Sequence, residues 1–167
     1  KLRKLVNKHL NEGKNQYAPM AVVSVLRAAI SQKIARSYNT AIDPEIQICI
    51  TAGATQAIFT AILAFVHQGD EVIIIEPAFD CYLPAIELVG GIPKIYAMHY
   101  PDYQIDWEQL ETLVTERTKM ILINSPHNPT GTILKKEDLL ALERIVAGKD
   151  IIVLSDEVYE HLIFDGE

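Results

Sequence analysis

The chain has 167 residues, of which 49% are hydrophobic and 22% are charged, and this is the composition of an ordinary globular domain with a sizeable core. Its formal net charge of −7 argues against a nucleic-acid or anionic-membrane surface, because neutralising phosphates requires clustered Lys and Arg. The longest apolar stretch, AIFTAILAFV, is about half as long as a membrane span. We therefore predict a soluble, cytoplasmic protein that binds neither nucleic acid nor a membrane.

The first part of the chain predicts a helix and then a strand–loop–helix unit. Apolar residues recur at helical spacing over 22–34, so VVSVLRAAISQKIARSY is predicted to be an amphipathic helix. EIQICIT predicts a strand that runs into the small-residue turn TAGAT. The buried face of the next helix is then predicted at Ala57, Ile58, Ala61, Ile62 and Phe65.

The remainder of the chain repeats this alternation. Residues 72–75 predict a strand and 80–89 a helix, GGIPKIYAMHY predicts a strand and 106–115 a helix. KMILINSPHNPTG predicts a strand plus a loop, 135–147 a helix, and DIIVL a last strand that is apolar on both faces. Strands that alternate with helices predict a single α/β domain with a mostly parallel sheet and right-handed crossovers.

Cysteine and histidine usage predicts no metal site. Cys49 and Cys81 lack the CxxC spacing, so neither a disulfide framework nor a structural zinc site is expected. The five histidines are scattered without metal-ligand spacing.

Informative loops follow four of the predicted strands, in TAGAT, EPAFD, NSPHNPTG and SDEVY. In a parallel sheet the carboxyl ends of the strands lie at one edge, where ligands bind, so we expect these loops to form a single site. SDEVY places two carboxylates and a phenol at the end of an apolar strand. The alternative is that Ser155 or Asp156 only caps a following helix.

Three of the loops offer groups suited to a flat, phosphorylated ligand. Gly53, Ala54 and Thr55 open a helix with small residues, so that backbone N–H groups and a hydroxyl can bind a phosphate, although an ordinary helix N-terminus has the same appearance. Phe79 could stack on a planar ring or belong to the core. Asn128 could donate to a ring oxygen or simply build an Asn-Pro turn.

Asp156 and Tyr159 complete the predicted site. They are three residues apart, close to one helical turn, so both side chains can face the same crevice. Together with the other loops, they predict a ligand that is a flat, phosphorylated, hydroxylated heteroaromatic cation.

Five segments of the chain resemble the class I/II aminotransferases, which are fold-type I pyridoxal-phosphate enzymes. They are NQYAPMA, TAGATQAI, EPAFDCY, NSPHNPTG and SDEVYEHL, in family order from about residue 15 to residue 162. Within the family, NQYAP, EPAFDCYLPAI and NSPHNPTG are most similar to the branch that holds bacterial methionine or aromatic aminotransferases and kynurenine/glutamine transaminases. The resemblance implies a three-layer α/β/α large domain, pyridoxal 5'-phosphate as cofactor, and amino-acid and 2-oxo-acid substrates.

The resemblance also implies how the cofactor is held at its phosphate and ring. Gly53, Ala54 and Thr55 would hold the phosphate, and Phe79 would stack on the pyridine ring. Tyr17 would reach the phosphate of the neighbouring subunit, which implies a homodimer with shared active sites.

At the other end of the ring, Asn128 and Tyr159 would hydrogen-bond the 3-hydroxyl oxygen, and Asp156 would pair with the pyridine nitrogen. Such a carboxylate keeps the nitrogen protonated, so that the ring can accept the electrons released when the substrate Cα–H bond breaks. This would explain why an apolar strand ends in a carboxylate.

The family's catalytic lysine, which forms the Schiff base and moves the proton, has no matching motif among the ten lysines of the chain. The resemblance implies that it lies beyond Glu167. We therefore expect residues 1–167 to be a partial cofactor-binding large domain, without its C-terminal part or the small domain, and to be inactive alone.

Two other functions fit the same residues. A pyridoxal-phosphate-dependent carbon–sulfur lyase would use the same Cα deprotonation, and a transcription regulator could carry such a domain as a sensor of the cofactor. For the regulator, KLRKLVNKHLNEGK is too short to be a helix-turn-helix domain. An α/β domain without this cofactor is the last alternative, and it requires five segments to match by coincidence.

Overall fold

The computed structural model describes residues 1–20 and 22–164. The chain divides into two compact units, Lys1–Thr51 and Ala52–Glu167. None of the described helices combines the length and the apolarity that a membrane crossing requires.

The Lys1–Thr51 unit contains two helices, α1 (Leu2–Asn11) and α2 (Ser24–Tyr38). The sequence patterns did not predict α1, and they predicted α2 from two residues too early. The predicted apolar face of α2 is not buried, because its one buried residue is Arg27. The Arg27 guanidinium donates to the Pro44 carbonyl at 2.7 Å and to the Glu45 carboxylate at 3.0 Å, so polar contacts fasten α2 to the loop that follows it.

The prediction that EIQICIT forms a strand is wrong. Residues 45–51 form a turn and irregular chain, and no described strand pairs with them. A strand is stable only where its backbone N–H and C=O groups pair with a neighbouring strand, and sequence alternation alone does not supply that neighbour.

The Ala52–Glu167 unit is built on a parallel sheet of four strands in the order β2-β1-β3-β4. The strands are β1 (Glu71–Glu76), β2 (Ile92–Ala97), β3 (Thr118–Asn124) and β4 (Ile152–Asp156). Four helices connect or precede them, namely α3 (Ala54–Phe65), α4 (Tyr82–Leu88), α5 (Trp107–Glu111) and α6 (Lys136–Val146). This architecture confirms the predicted α/β fold with a parallel sheet.

The helices cover both faces of the sheet, which gives three layers. On one face α3 and α4 pack Ile62, Tyr82 and Ile86 against Ile74 and Leu122. On the other face α5 and α6 pack Leu110, Leu142 and Ile145 against Ile73 and Ile121. Successive strand side chains point to opposite faces, so β1 and β3 contribute to both cores. Each fully buried Ile or Leu stabilises the fold by roughly 1.5–3 kcal/mol.

Two expectations about burial were too broad. Only Ile58 and Ile62 of the predicted α3 face are buried, whereas Ala57 and Phe65 are exposed and Ala61 is half-buried. The prediction that β4 is buried on both faces is also wrong, since Val153 is 37% exposed. The reason is that β4 lies at one end of the strand order and pairs only with β3, so fewer elements pack around it than around the central strands.

The carboxyl ends of the three adjacent strands β1, β3 and β4 meet at one edge of the sheet. Asn124 and Asp156, the last residues of β3 and β4, are register partners. β1 ends beside them at Glu76. The loops that sequence patterns predicted to gather after these strands therefore leave the sheet side by side.

The opposite edge of the sheet contains a fully buried carboxylate, Glu71, at the start of β1. It accepts hydrogen bonds from the Thr115 hydroxyl and the Arg117 guanidinium, both at 2.7 Å, and Lys94 lies 3.5 Å away. The Thr115 hydrogen bond lowers the pKa of Glu71, as do the charges of Lys94 and Arg117, while burial opposes them. Glu71 is therefore ionised and compensated at neutral pH.

Glu71→Gln is expected to reduce the free energy of unfolding at pH 7 by about 1–2 kcal/mol, because the charge-assisted hydrogen bonds are weakened. A lowered folded-state pKa stabilises the fold above the unfolded-state value of about 4.3, and this contribution is lost as the pH falls through the folded-state pKa. Urea unfolding of the full-length protein should therefore show a smaller difference between variant and wild type at pH 3 than at pH 7. The exposed neighbour Glu116→Gln is the control, and a Glu71 effect that grows on acidification would contradict this assignment.

Candidate functional site

A crevice of about 120 Å³ lies at the carboxyl edge of the sheet. Three strand ends and the first turn of α3 contribute its walls, which are formed by Ala54, Thr55, Phe79, Asn124, Asn128, Asp156, Val158 and Tyr159. It brings together six of the eight cofactor-binding residues predicted from the sequence. The two that do not line it are Gly53, which directly precedes α3, and Tyr17.

Asp156 is the buried charge of the crevice, with 9% of its surface exposed. Its Oδ2 accepts a hydrogen bond from the Tyr82 hydroxyl at 2.6 Å, and its Oδ1 accepts one from the Val158 backbone N–H at 3.2 Å. Among the described residues, no Lys, Arg or His forms an ion pair with it. Because buried charges are normally paired, the crevice presents an uncompensated negative charge to whatever enters it.

The alternative that Asp156 caps a helix is wrong for the described residues, because a turn at 158–161 and not a helix follows β4. One carboxylate oxygen does accept the N–H that begins this turn. Tyr159 lies in the same turn, is 37% exposed and lines the crevice. The turn, rather than the predicted helical spacing, brings Tyr159 beside Asp156.

Tyr82, the first residue of α4, is a site residue that the sequence analysis missed. Its side chain is 2% exposed, and its ring meets Phe79 edge to face, with centroids 5.8 Å apart. Burial, and then the hydrogen bond to Asp156, raise the pKa of Tyr82 far above its usual value, so the hydroxyl stays protonated and donates. The sequence does contain a signal for Tyr82, because it follows Phe79 by three residues in EPAFDCY and the two rings can therefore meet.

Asn124 is a second missed residue, and it ties the strand ends together. Its side-chain N–H donates to the Asp156 carbonyl at 2.8 Å, and its side-chain oxygen accepts from the Asn128 backbone N–H at 2.7 Å. These bonds hold the loop after β3 against the end of β4. The half-buried Asn128 side chain thereby becomes part of the crevice wall.

Two titratable side chains in the loops around the crevice are neutral at pH 7. Burial lowers the pKa of His127, against a hydrogen bond to the Pro77 carbonyl, and its Nδ1 is hydrogen-bonded to the Thr130 hydroxyl at 2.8 Å. Burial, and then the nearby carboxylates of Asp80 and Asp156, raise the pKa of the Cys81 thiol. His127 therefore joins two loops, and Cys81 is not a thiolate.

The N-terminus of α3 forms the other end of the crevice. Gly53 has φ +100° and ψ 169°, a backbone conformation that strains any residue with a Cβ. It offers no side chain to cap the helix, so the first-turn N–H groups of Ala54 and Thr55 and the Thr55 hydroxyl remain available to an anion. α3 is 12 residues long, and its dipole adds positive potential at this end.

Tyr17 belongs to the Lys1–Thr51 unit, where its side chain is fully exposed in the loop after α1. Its contact with a cofactor phosphate stays a prediction.

A larger cleft of about 940 Å³ lies at the opposite edge, where the strands begin. Two of its basic side chains, Lys119 and Arg117, already form ion pairs. Lys119 contacts Asp150 at 2.5 Å, and Arg117 contacts Glu71 at 2.7 Å. The smaller crevice, where residues 1–20 and 22–164 place no cation against the buried Asp156 carboxylate, is therefore the better candidate site.

The donor set of the crevice fits pyridoxal 5'-phosphate. An unpaired carboxylate matches a protonated ring nitrogen, the Phe79 ring matches a planar ring, and Asn128 and Tyr159 can donate to a ring oxygen. The uncapped N-terminus of α3 matches a phosphate.

The chain is similar to known aminotransferases over its whole length. The family described as aminotransferase class I and II matches residues 1–167. The methionine aminotransferase of Escherichia coli (strain K12) is 47% identical over 156 residues, which are 93% of this chain and 40% of that protein. A probable kynurenine–oxoglutarate transaminase of Saccharomyces cerevisiae is 36% identical over 161 residues, which are 90% of this chain and 36% of that protein.

Solved structures give the same result. The crystal structure of YbdL from Escherichia coli, reported as a methionine aminotransferase, has a TM-score of 0.97 and 45% identity, over 99% of this chain and 44% of that one. The N-succinyldiaminopimelate aminotransferase of Mycobacterium tuberculosis has a TM-score of 0.92 and 38% identity, over 96% of this chain and 42% of that one. The chain thus spans less than half the length of these relatives. Because the family match covers all 167 residues, the chain belongs to the class I and II aminotransferases, as its five segments predicted.

Proposed function

We propose that the protein carrying this chain is a pyridoxal-phosphate-dependent aminotransferase, which moves an amino group from an L-amino acid to a 2-oxo acid. The observation that carries the proposal is the buried Asp156 carboxylate, which no described cation pairs with and which lines the same crevice as Phe79, Asn128 and the first turn of α3. Membership of the family supports it.

The cofactor, when bound, supplies a ring that accepts the electrons of the broken Cα–H bond. Asp156 holds the proton on the ring nitrogen, and each unit by which it raises the pKa of that nitrogen represents about 1.4 kcal/mol. A shift of two or three units would favour the protonated ring by roughly 3 to 4 kcal/mol. Phe79 would stack on the ring, and Asn128 and Tyr159 would orient its hydroxyl oxygen.

Gly53, Ala54 and Thr55 would hold the phosphate end. The backbone N–H groups of the α3 first turn supply donors, and the Thr55 hydroxyl adds one more. Because these donors are fixed by the helix, they position the ring without losing conformational entropy on binding.

The proton at the substrate Cα must be moved by a group that residues 52–164 do not place in the crevice. Within that range Lys94 lies against Glu71, Lys119 contacts Asp150, and Lys149 donates to the Ile145 carbonyl. We propose that the catalytic lysine lies outside residues 1–167, together with the arginine that binds the substrate carboxylate.

The names of the relatives support the substrate class, since they include methionine, kynurenine, aromatic and aspartate substrates. We propose a methionine, aromatic or glutamine-like amino donor. We also propose a biosynthetic role in the cytoplasm. We also propose a homodimer in which Tyr17 reaches the cofactor phosphate of the partner subunit. Because the relatives reported above are all aminotransferases or transaminases, the lyase and regulator alternatives are not favoured.

Asp156→Ala in the full-length protein is expected to reduce kcat by about 10²- to 10³-fold, the equivalent of 3 to 4 kcal/mol, while cofactor still binds through its phosphate. Steady-state turnover and the absorbance of the bound cofactor measure the two effects separately. Asp150→Ala, an exposed aspartate at the other edge, is the control. Turnover of Asp156→Ala within a few-fold of wild type would refute the assigned role.

Thr55→Val is expected to weaken binding of pyridoxal 5'-phosphate by roughly tenfold, because one charge-assisted hydrogen bond is lost. Binding of pyridoxal, which has no phosphate, should not change. Equilibrium dialysis with both ligands measures this, and Thr60→Val, an exposed change on the same helix, is the control. Equal losses for both ligands would contradict a phosphate contact.

A polypeptide of residues 1–167 alone is expected to produce no 2-oxo acid from any amino donor, because it lacks the proton-transferring lysine. The full-length protein, assayed in parallel with the same donors, should do so. Turnover by the shorter polypeptide at a rate comparable with that of the full-length protein would show that its own residues complete the site.

A further inference from the structure

The wall of the crevice contains a buried phenol to which the reaction outlined above assigns no part. Tyr82 begins α4, in the segment that follows β1, and Asp156 ends β4, 74 residues later in the chain. The Tyr82 hydroxyl and the Asp156 Oδ2 are 2.6 Å apart, within the 2.5–2.7 Å that is typical of a hydroxyl donating to an ionised carboxylate. The contact is therefore a strong, charge-assisted hydrogen bond.

Both partners of this hydrogen bond are fixed in place. The Tyr82 side chain is 2% exposed and packs in the core between α3, α4 and the sheet, together with Ile58 and Ile86. Asp156 is held from its other side by the Val158 N–H, and its backbone carbonyl accepts from Asn124. The buried Tyr82 hydroxyl is therefore held where it donates to the Asp156 carboxylate.

We propose that Tyr82 is a positioning residue, whose hydroxyl holds the Asp156 carboxylate aimed into the crevice so that the cofactor ring nitrogen retains its proton. This inference rests on the proposed function. The ring nitrogen and the Asp156 carboxylate would share one proton, and the Tyr82 hydroxyl already donates to the carboxylate oxygen Oδ2. The proton then lies on the nitrogen, where the reaction needs it.

Tyr82 also supports the aromatic wall, because its ring contacts the Phe79 ring at an interplanar angle of 79°. Tyr82→Phe keeps this ring contact and the packing in the core while removing only the hydroxyl. The substitution thus separates the proposed effect on the ring nitrogen from a general loss of structure.

A matched control exists on the other face of the sheet. The buried Tyr96 hydroxyl accepts a hydrogen bond from the Asp106 backbone N–H at 2.7 Å, in the core formed with α5 and α6. Tyr96→Phe therefore also removes a hydrogen-bonded phenol hydroxyl, and that hydroxyl makes no contact with Asp156.

The test uses the full-length protein loaded with pyridoxal 5'-phosphate that is ¹⁵N-labelled at the ring nitrogen. Solid-state ¹⁵N NMR reports whether that nitrogen is protonated, independently of activity. In wild type and Tyr96→Phe we expect the signal of a protonated nitrogen, and in Tyr82→Phe a shift towards the unprotonated position. Affinity for the cofactor should fall by roughly tenfold in Tyr82→Phe alone.

Two further variants exclude a purely structural effect. In an Asp156→Asn background, Tyr82→Phe should cause no additional shift, because the carboxylate through which the hydroxyl acts is gone. If Tyr82→Phe does not fold, replacement of Tyr82 by 4-aminophenylalanine retains the shape with a weaker donor, and a shift in the same direction is expected.

The outcomes separate the two proposals. If wild type binds the cofactor and Tyr82→Phe, or the 4-aminophenylalanine variant in its place, has the wild-type nitrogen signal and affinity, the role of Tyr82 is refuted and the proposed function stands. If wild type does not bind pyridoxal 5'-phosphate, the proposed function fails and this inference fails with it.

Discussion

The constraint on which the site depends is a buried carboxylate, Asp156, that pairs with no cation in the described part of the chain. Removing a charge from water costs several kcal/mol, and the donors that Asp156 receives from Tyr82 and Val158 offset only part of that cost. Glu71, the other buried carboxylate among the described residues, is compensated by a hydroxyl and two cations. Glu71 is thus paired within the protein, and we propose that Asp156 completes its pairing with a ligand.

The parallel sheet makes this arrangement possible. Its two cores fix β1, β3 and β4 with their carboxyl ends adjacent, and the register pairs Asn124 with Asp156. Side chains that are far apart in the sequence then share one small crevice with the N-terminus of α3. A negative group at one end and helix N–H groups at the other fit a ligand that is cationic at its ring and anionic at its phosphate.

Sequence patterns predicted the elements whose formation depends on residues close to one another in the chain. The four strands of the sheet and the helices α2 to α6 were predicted because apolar runs and helical spacing identify them, and the site loops followed from parallel topology. The strand EIQICIT, the buried face of α2 and the full burial of β4 were wrong, because each depends on neighbours that a sequence does not reveal. Tyr82 and Asn124 were missed because their bonds to Asp156 span 74 and 32 residues.

The central claim is that Asp156 meets the ring nitrogen of pyridoxal 5'-phosphate while the first turn of α3 holds its phosphate. A crystal structure of the full-length protein with the cofactor bound tests it most directly. We predict an Asp156 oxygen within about 3 Å of the ring nitrogen and phosphate oxygens at a similar distance from the Ala54 and Thr55 N–H groups. A cofactor bound elsewhere, or an Asp156 carboxylate paired with a protein cation, would contradict the claim.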